Sequence, residues 1–468
     1  MTLVPFQSHE VEQWTGGEQT AGSPDTRLAG TSIDTRSIHP GELFVAIRGQ
    51  NYDAHGFLDK AVESGAAALL VQRDWLQGHD APSGPDIIAV EDTTRALGAL
   101  ASGHRQGFSG PVVAITGSNG KTSTKELTYS ILSTPEPCLK NEGNLNNEFG
   151  LPLTLLRRET EHRAAVVEMG MNHRGEIARL VEIASPTVGL ITNVGTAHIE
   201  YLGSQEEIAL EKGDLVAGLG PNATAVLNAD DARVLAQRER SPQRVLTFGR
   251  KGPADIQPEQ IRFETEGAFV FRLCTPLGSG EVRVHGWAET TVENALAAAA
   301  AAVAAGATLE QIQQGLDGFT AVPGRMQHVA MEMGAHVLDD TYNANPQSVR
   351  NALETLQRVK AGGRSIAVLG DMGELGDEAV SAHREIGRFT AQTETDLLFV
   401  IGGHAGEVAG AAMESGMPKK NVSICEQPSE IAQEIASLAT ADDWILVKGS
   451  RSMKMERIVQ QLTSGGAH

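Results

Sequence analysis

Short apolar runs alternate with amphipathic patterns near the start of the chain. Unbroken apolar runs predict buried strands, and apolar positions spaced by three or four residues predict the helices between them. The predicted elements are strands at 43–47, 68–71 and 87–90 and helices at 58–64 and 93–104. This order predicts a small α/β domain, which ends at the break from Phe108 to Pro111.

A second alternation follows this break. The predicted strands are 112–116, 165–167, 188–192 and 225–227, and the last two predicted helices begin near Thr291 and cover 308–318. Strands that alternate with helices predict a largely parallel sheet joined by crossover connections. The Ala-rich stretch from Ala295 to Ala305 predicts a buried helix within this second domain.

A third alternation begins after Pro323, Gly324 and Arg325. Its predicted strands are 336–339, 365–369, 397–401 and 444–448, and its predicted helices are 348–359, 377–391, 405–415 and 453–462. The predicted fold class is therefore α/β with three domains, the third a Rossmann-like, doubly wound unit. The predicted boundaries are 1–108, 109–322 and 323–468.

Length and charge support this division and exclude one class of partner. The chain has 468 residues, 41% of them hydrophobic, whereas single cores stop growing at roughly 250 to 300 residues. The 59 acidic residues exceed the 38 basic ones, for a formal net charge of -21. Such a surface repels a phosphate backbone, so we expect no nucleic-acid partner.

The cysteines and the apolar runs predict a location. Cys138, Cys274 and Cys425 fit neither a zinc spacing nor a disulfide framework, which is typical of a reducing compartment. The start of the chain lacks a basic segment followed by an apolar core, and no apolar run reaches about 18 residues. We therefore expect a cytoplasmic protein without a transmembrane segment.

Candidate chemistry begins at Gly117, where a predicted strand meets a predicted helix. The sequence Gly117-Ser118-Asn119-Gly120-Lys121-Thr122 places glycines, a lysine and a hydroxyl where backbone amides and a helix N-terminus bind phosphate. The loop is shorter than the general phosphate loop, because the first glycine of that pattern would fall at Ile115. An ordinary glycine turn before a helix is the alternative interpretation.

Several segments that follow this loop resemble the Mur ligase family. In chain order they are Asn144 to Asn147 with Gly150 and Pro152, Glu168 to Gly170, Thr192 to His198, and Glu211 to Gly213. In the third domain, Asp339 to Pro346, Gly370 to Gly376 and Lys448 to Ser452 resemble the family branch that adds D-alanyl-D-alanine to a UDP-muramoyl-tripeptide. The resemblance runs from about residue 30 to the C-terminus.

The resemblance implies an ATP-dependent ligase in peptidoglycan precursor synthesis that works through an acyl phosphate. The implied ATP-binding residues are Gly117, Ser118, Asn119, Gly120, Lys121, Thr122, Ser123, Asn294, Arg325 and Asp340. Two Mg²⁺ ions are implied, with Thr122, Glu168, His198 and Lys212 at the metals, and Lys121, His198 and Lys212 as catalytic residues. Hard oxygen ligands such as those of Thr122 and Glu168 suit Mg²⁺.

Three of these assignments have alternatives. Lys212 lies in a helical pattern among glutamates, where a lysine is normally a solvated charge, whereas the resemblance implies that carbon dioxide carbamylates it. Arg325 is alternatively an interdomain salt bridge. The family's histidine ahead of Asn294 is missing at its usual spacing, so either His285 substitutes for it or the contact is absent.

The resemblance also divides substrate recognition between domains. The first domain is implied to bind the UDP end of the precursor through Asp34, Thr35, Arg36, Gly49, Asp53 and His55. The implied contacts of the muramoyl-peptide are Asn144, Asn146 and Asn147, although an Asn-rich segment is also typical of a simple turn. The implied residues for the dipeptide are Asn343, Asn345, Asp371, Glu374 and Arg451, with His383 a candidate base.

Two other functions remain open from the sequence. One is a different amide ligase of the same superfamily, adding a single amino acid or adding glutamate to folate. The other is a phosphate-loop NTPase that acts as a switch, which predicts hydrolysis independent of any amine. We expect a monomer that acts on ATP, the UDP-muramoyl-tripeptide and the dipeptide.

Overall fold

The computed structural model describes residues 2–49, 52–241 and 244–463. Met1 and 464–468, the outer ends of the first and third predicted domains, lie outside the described residues. Within the described ranges the strands form five sheets, three of them large and mainly parallel. The predicted α/β fold class with parallel sheets is confirmed.

The first large sheet has five strands and covers the start of the chain. Its strand order is Glu18–Ala21, Asp86–Val90, Ala68–Gln72, Leu43–Val45 and Thr31–Ser32, and only the first pair is antiparallel. The helices here are Ser8–Thr15, Leu58–Glu63, Arg73–Leu76 and Thr93–Gln106. A small ribbon of Phe6–Gln7 and Arg27–Leu28 adds two strands. The three predicted strands are confirmed, although the first ends at Val45.

The central sheet has six strands, and every pair is parallel. Its strand order is Arg244–Phe248, Thr224–Asn228, Val188–Ile191, Val112–Thr116, Ala164–Glu168 and Cys138–Lys140. The helices are Lys121–Leu132, Gly150–Leu156, Glu176–Ala184, Ile199–Leu202, Gln205–Ala217, Ala232–Ala236, Thr290–Ala304 and Leu309–Asp317. The four predicted strands are confirmed, because continuous apolar runs are typical of strands buried on both faces.

A three-stranded antiparallel sheet follows the central strands and was not predicted. Its strands are Gln257–Glu264, Ala268–Thr275 and Gly278–His285. The first strand is exposed or half-buried throughout, while the middle strand buries Phe269, Phe271 and Leu273. An antiparallel sheet with one solvated face carries many polar residues, so its strands lack the long apolar runs from which strands were predicted.

The Ala-rich helix Thr290–Ala304 packs in the core beside the central sheet. All residues from Ala295 to Ala302 are buried, which confirms the predicted buried helix. In the part of the chain that the structure describes, no helix is long and apolar enough to cross a membrane. Cys138, Cys274 and Cys425 are all free thiols.

The third large sheet has six strands and is covered on both faces. Its strand order is Gln327–Ala330, His336–Asp340, Trp444–Lys448, Ser365–Gly370, Leu397–Ile401 and Val422–Cys425, and only the first pair is antiparallel. The helices are Pro346–Val359, Ala379–Gln392, Ala405–Glu414, Pro428–Leu438 and Glu456–Thr463. Separate hydrophobic clusters lie on its two faces, which confirms the doubly wound prediction.

Three details of the third unit differ from prediction. The helix Pro346–Val359 begins two residues earlier, because the Asn345 side chain accepts from the Ser348 amide and proline fits the first helical position. The last helix begins at Glu456 rather than at residue 453. The strand Val422–Cys425 and the helix Pro428–Leu438 were not predicted.

Helix packing in the third unit gives a prediction. A Cβ at Gly387 would lie 2.2 Å from the Val408 carbonyl oxygen of the neighbouring helix, whereas a Cβ at Gly410 would meet no atom within 4 Å. We expect Gly387→Ala to lower the free energy of unfolding by about 1–3 kcal/mol through overpacking. The matched control Gly410→Ala gains about 0.5–1 kcal/mol from helix propensity. Urea unfolding of both variants measures the difference, and equal shifts would refute the packing argument.

Candidate active site

The phosphate loop lies at the carboxyl edge of the central sheet, where parallel strands present their C-terminal ends. The strand Val112–Thr116 leads into it, and the helix Lys121–Leu132 follows. The neighbouring strands end at Glu168 on one side and at Ile191 on the other. Ligands of open α/β sheets bind in the crevice outside this edge, so the loop occupies the expected place.

Two glycines give the loop its shape. Gly117 and Gly120 have φ angles of 149° and 80°, which side-chain-bearing residues rarely adopt. A Cβ at Gly117 would lie 1.8 Å from the Thr192 hydroxyl oxygen, and a Cβ at Gly120 would lie 2.4 Å from Asn294 Oδ1. Glycine is therefore needed both for the backbone conformation and for close packing.

The segment that follows the neighbouring strand Val188–Ile191 holds the loop in place. The Ser118 amide donates to the Asn193 carbonyl oxygen at 2.9 Å, and the Asn119 amide donates to Asn193 Oδ1 at 2.9 Å. In return, the Thr192 hydroxyl donates to the Asn119 carbonyl oxygen at 2.6 Å, and the Gly195 amide donates to the Ser118 hydroxyl at 2.8 Å. The structure thus joins two segments that the sequence places more than seventy residues apart.

Glu168 is a buried carboxylate beside the loop. One oxygen accepts from the Thr122 hydroxyl at 2.7 Å, and the other accepts from Asn146 Nδ2 at 2.8 Å. Burial opposes ionisation, but Lys121, Arg325 and the two hydrogen bonds outweigh it and lower the pKa of Glu168. A charged carboxylate next to a hydroxyl is a suitable donor set for a hard cation.

Lys121 folds over its own loop. Its ammonium donates to the Gly117 carbonyl oxygen at 2.7 Å, and burial lowers its pKa from the ordinary value of 10.5. Among the described residues no carboxylate oxygen lies within ion-pair distance of this ammonium. The charge is therefore available to an anionic ligand in the loop.

Lys212 is fully buried, which contradicts its interpretation as a solvated surface charge. Burial, assisted by the like charge of Lys121, holds its pKa well below 10.5 and so favours the neutral amine. Within the described residues its amine makes neither a hydrogen bond nor an ion pair. The adjacent Glu211 accepts from the Gly175 and Ile177 amides, both at 2.8 Å, and so anchors the helix that carries Lys212.

The carboxyl edge of the third sheet contributes a buried ion pair. Asp340 and Lys448 end neighbouring strands in register, and the Lys448 ammonium donates to Asp340 Oδ2 at 2.5 Å and to the Asn343 carbonyl oxygen at 2.8 Å. Asp340 also accepts from the Met326 amide at 3.2 Å. Lys448 was not among the predicted site residues, although it begins one of the matched segments.

Three contacts join the third sheet to the phosphate-loop region. The Arg325 guanidinium donates to the Thr122 hydroxyl at 2.6 Å, and Asn345 Nδ2 donates to Asn119 Oδ1 at 2.7 Å. His198 Nδ1 lies 2.8 Å from Glu374 Oε2, which is within ion-pair distance, but the two atoms do not form a hydrogen bond. These contacts bring the two carboxyl edges together.

Arg325 is packed rather than paired. Its guanidinium stacks 4.1 Å from the centre of the Tyr342 ring, and within the described ranges no carboxylate lies in ion-pair distance of it. The interpretation of Arg325 as an interdomain salt bridge is therefore wrong.

A cavity of about 1340 Å³ lies between the central and third sheets. Sixteen of the predicted site residues line it: Ser118, Asn119, Gly120, Lys121, Thr122, Ser123, Asn144, Asn146, Asn147, Glu168, His198, Asn294, Arg325, Asp340, Asn343 and Asn345. A further predicted residue, Glu374, reaches the cavity through its contact with His198. The structure thus brings most of the predicted ATP, metal and muramoyl-peptide residues into one space, although Gly117 and Lys212 are not among the residues that line it.

The residues predicted to bind the UDP end lie elsewhere. Asp34, Thr35, Arg36, Gly49, Asp53 and His55 belong to the first sheet and its loops, and none lines the cavity. Arg36 pairs with Asp34 at 2.6 Å and holds the pKa of that carboxyl at about 2. His55 is buried between Asp53 and the Gln72 amide, which donates to its Nε2 at 2.9 Å. Both ring nitrogens of His55 are therefore engaged within the protein.

Two predicted residues of the third unit, Asp371 and Arg451, are also not among the residues that line the cavity. Asp371 accepts from the Gly403 amide at 2.7 Å and the His404 amide at 3.0 Å, so its carboxylate is engaged by its own unit. Arg451 is exposed and lies 3.3 Å from Glu456. His383 accepts from the Met372 amide at Nε2, and its Nδ1 lies 2.6 Å from the Ala379 carbonyl oxygen, which excludes it as a free base.

The segment ahead of Asn294, which lacks the family's histidine at its usual spacing, forms part of the cavity wall. His285, Trp287, Thr290 and Thr291 all line the cavity, so this wall differs from the family pattern without being absent. The Trp287 ring packs 4.9 Å from the Trp444 ring of the third sheet. The Asn294 side chain accepts from the Thr124 hydroxyl at 3.3 Å and abuts Gly120. Asn294 thus supports the loop directly.

The neutral amine of Lys212 gives a prediction. A lysine whose pKa is lower in the folded than in the unfolded chain destabilises the fold at pH values below 10.5, and this cost shrinks as pH rises toward 10.5. In carbon-dioxide-free buffer, we expect Lys212→Met to raise the free energy of unfolding at pH 7 by at least about 1 kcal/mol. Urea unfolding at several pH values measures this. The exposed Lys420→Met is the control, and a Lys212→Met gain that does not change with pH would contradict the neutral amine.

Comparison with known proteins agrees with this architecture. The Mur ligase middle domain model matches residues 115–302, and the Mur ligase glutamate ligase domain model matches residues 324–451. UDP-N-acetylmuramoyl-tripeptide–D-alanyl-D-alanine ligase of Escherichia coli is 39% identical over 94% of this chain and 95% of that protein. A MurF crystal structure from Acinetobacter baumannii has a TM-score of 0.89 and 32% identity over 99% of both chains.

A second solved structure bears on the nucleotide. MurF ligase from Thermotoga maritima, in complex with ADP, has a TM-score of 0.81 and 29% identity over 92% of this chain and 96% of that chain. The matched domain models cover most of the chain, and both of them include residues that line the cavity. The chain therefore belongs to the Mur ligase family.

Proposed function

We propose that this chain joins D-alanyl-D-alanine to UDP-N-acetylmuramoyl-tripeptide with consumption of ATP. The observation that carries the proposal is the cavity between two carboxyl edges, one with a phosphate loop and Glu168, the other with Asp340 and Lys448. The Escherichia coli relative, named for this reaction, matches along nearly the whole chain. The products are the UDP-linked pentapeptide, ADP and phosphate.

The reaction needs an activated carboxylate, because a free carboxylate is a poor electrophile. Its oxygen attacks the γ-phosphorus of ATP, the bond to the ADP oxygen breaks, and an acyl phosphate forms. The dipeptide amine then attacks the acyl carbon, phosphate leaves with the electron pair of the broken bond, and the nitrogen loses a proton. Catalysis of the first step consists mainly of positioning and charge neutralisation.

The phosphate loop and Arg325 supply this neutralisation. The N-terminus of the helix Lys121–Leu132 opens at the loop, where it is suited to bind phosphate, and the Lys121 ammonium lies over the same loop. Arg325 brings a second cation to Thr122 from the linker of the third unit. The guanidinium therefore lies beside the loop, where it would neutralise charge on the phosphates.

The donor set beside the loop fits Mg²⁺. Within the described ranges no cluster of three or more histidine, cysteine or acidic side chains forms a metal cage. Mg²⁺ uses one or two protein oxygens together with phosphates and water, and Thr122 with Glu168 provides that number. When bound there, Mg²⁺ neutralises charge on the β- and γ-phosphate oxygens. We assign a second ion to His198, whose ring faces the Glu374 carboxylate.

Lys212 is the chain's candidate for carbamylation. Carbon dioxide reacts with neutral amines, and burial lowers the pKa of Lys212 and so favours the neutral amine. The nitrogen bonds to the carbon of carbon dioxide and loses a proton, which leaves an anionic carbamate where an amine had been. Such an anion close to Lys121 and Glu168 would orient the metal and the acyl phosphate.

The three predicted domains keep separate substrate roles in this proposal. The first unit, with Asp34, Arg36 and Asp53, binds the UDP end, while Asn144, Asn146 and Asn147 order the muramoyl-peptide beside Glu168. Asn343 and the nearby residues of the third unit receive the dipeptide. The proposed boundaries remain 1–108, 109–322 and 323–468. The monomeric state and the cytoplasmic location stay predictions.

A coupling assay tests the reaction. We expect phosphate release and a product of pentapeptide mass only when ATP, the UDP-muramoyl-tripeptide and D-alanyl-D-alanine are all present. Single amino acids in place of the dipeptide, and a folate with glutamate in place of both substrates, are the controls. Faster phosphate release with either control would favour a different amide ligase, and amine-independent hydrolysis would favour an NTPase switch.

Carbamylation of Lys212 is tested by spectroscopy. We expect a carbamate carbon signal in the ¹³C NMR spectrum of the protein in ¹³C-bicarbonate, because the buried neutral amine reacts and the product is protected from solvent. The signal should be absent from Lys212→Met and present in the exposed-site control Lys420→Met. A signal that persists in Lys212→Met, or no signal in the native chain, would refute the assignment.

A further inference from the structure

The Asn141 side chain forms hydrogen bonds with both the backbone amide and the backbone carbonyl of Glu168. The Glu168 amide donates to Asn141 Oδ1 at 2.9 Å, and Asn141 Nδ2 donates to the Glu168 carbonyl oxygen at 3.3 Å. The pairing of the strand Cys138–Lys140 with its neighbour ends at Lys140. The Asn141 side chain therefore continues the strand pairing where the backbone leaves it.

The Asn141 side-chain amide also holds the turn that carries Asn146, the second hydrogen-bond donor to the Glu168 carboxylate. Asn141 Nδ2 donates to the Leu145 carbonyl oxygen at 3.0 Å. The next residue, Asn146, donates to the Glu168 carboxylate at 2.8 Å, and its carbonyl oxygen accepts from the Gly170 amide at 2.9 Å. One buried side chain thus fixes both the carboxylate and the asparagine that orients it.

A buried lysine ties Asn141 to the phosphate-loop helix. Lys125 is 1% exposed, and its ammonium donates to the Asn141 carbonyl oxygen at 2.7 Å. Lys125 follows Thr122 by three residues, so both side chains lie on neighbouring positions of one helix face. Its charge is balanced by Glu126 at 3.0 Å, whose carboxylate also meets Lys140.

We infer that Lys125 and Asn141 are positioning residues that set the geometry of the Thr122–Glu168 pair for a divalent cation bound with nucleotide. The path runs from the helix through Lys125 to Asn141, and from Asn141 to the backbone of Glu168. This path fixes the distance between the Thr122 hydroxyl on the helix and the Glu168 carboxylate at the end of its strand. This inference rests on the proposed function, since it concerns the cation of that same site.

Lys125 and Asn141 are both 1% exposed, so their contacts differ from ordinary polar contacts at the surface. A buried lysine costs free energy unless it is paired and hydrogen-bonded. Lys125 meets both conditions, and its hydrogen bond goes to Asn141, which binds the Glu168 backbone, rather than to a distant part of the fold. Residues that orient metal ligands in this way typically change metal affinity by roughly 10- to 100-fold when replaced.

The test measures cation binding in the full chain without the ligation reaction. Electron paramagnetic resonance reports free Mn²⁺ in the presence of ADP, which gives the dissociation constant of bound Mn²⁺. We expect Lys125→Met and Asn141→Ala each to weaken Mn²⁺ binding by roughly 10- to 100-fold. In the double variant the two losses should be less than additive, because both residues act along one path.

Lys140→Met is the matched control. Lys140 contacts the same Glu126 but does not bond to Asn141, so Mn²⁺ affinity should stay within about twofold of the native value. Circular dichroism melting checks that each variant folds. If Lys125→Met does not fold, Asn141→Ala decides the matter alone.

Native Mn²⁺ affinity in a folded Lys125→Met or Asn141→Ala variant would overturn the inference. So would an equal loss in Lys140→Met, because the effect would then be general to this charge cluster. A protein that binds Mn²⁺ with ADP as expected but fails the coupling assay would overturn the proposed function and leave this inference intact.

Discussion

The active-site architecture depends on holding one charged carboxylate, that of Glu168, in a place that water hardly reaches. Such a charge is costly to bury, and it is tolerated here because a hydroxyl, an amide and two nearby cations stabilise it. These groups come from three different segments of the chain, because Lys121 and Thr122 are neighbours in the phosphate loop. The need to satisfy Glu168 therefore fixes how the phosphate loop, the asparagine turn and the linker at Arg325 lie relative to one another.

The same requirement links the third sheet to the central one. Arg325 donates to Thr122, and Asn345 donates to Asn119, so two residues of the phosphate loop serve as contact points for the third unit. A ligand that occupies the loop must therefore interact with groups from both sheets. A change in the relative position of the sheets would alter the loop directly, because Arg325 and Asn345 hydrogen-bond to loop residues without an intervening layer of side chains.

The sequence predicted the parallel strands well and the buried charges poorly, for physical reasons. Strands such as Val112–Thr116 are buried throughout and almost entirely apolar because both faces are covered, whereas Gln257–Glu264 is exposed or half-buried and was missed. The burial of Lys212 follows from tertiary packing, since its glutamate neighbours along the helix indicated a surface. Asn141 and Lys125 belong to no matched segment, so the contacts that clamp Glu168 emerged only from the structure. Motif resemblance, by contrast, located the residues that line the cavity.

A strongly acidic chain that binds polyanionic substrates must concentrate positive charge locally. At physiological salt, charges beyond about 8 Å are largely screened, so the net charge of -21 matters less than the groups at the loop. Lys448 is neutralised by Asp340, but Lys121 donates to a carbonyl oxygen and Arg325 to a hydroxyl. These two cations are held in place by neutral partners, which orient them without cancelling their charge. The phosphate loop therefore keeps a positive field at the point where the phosphates arrive.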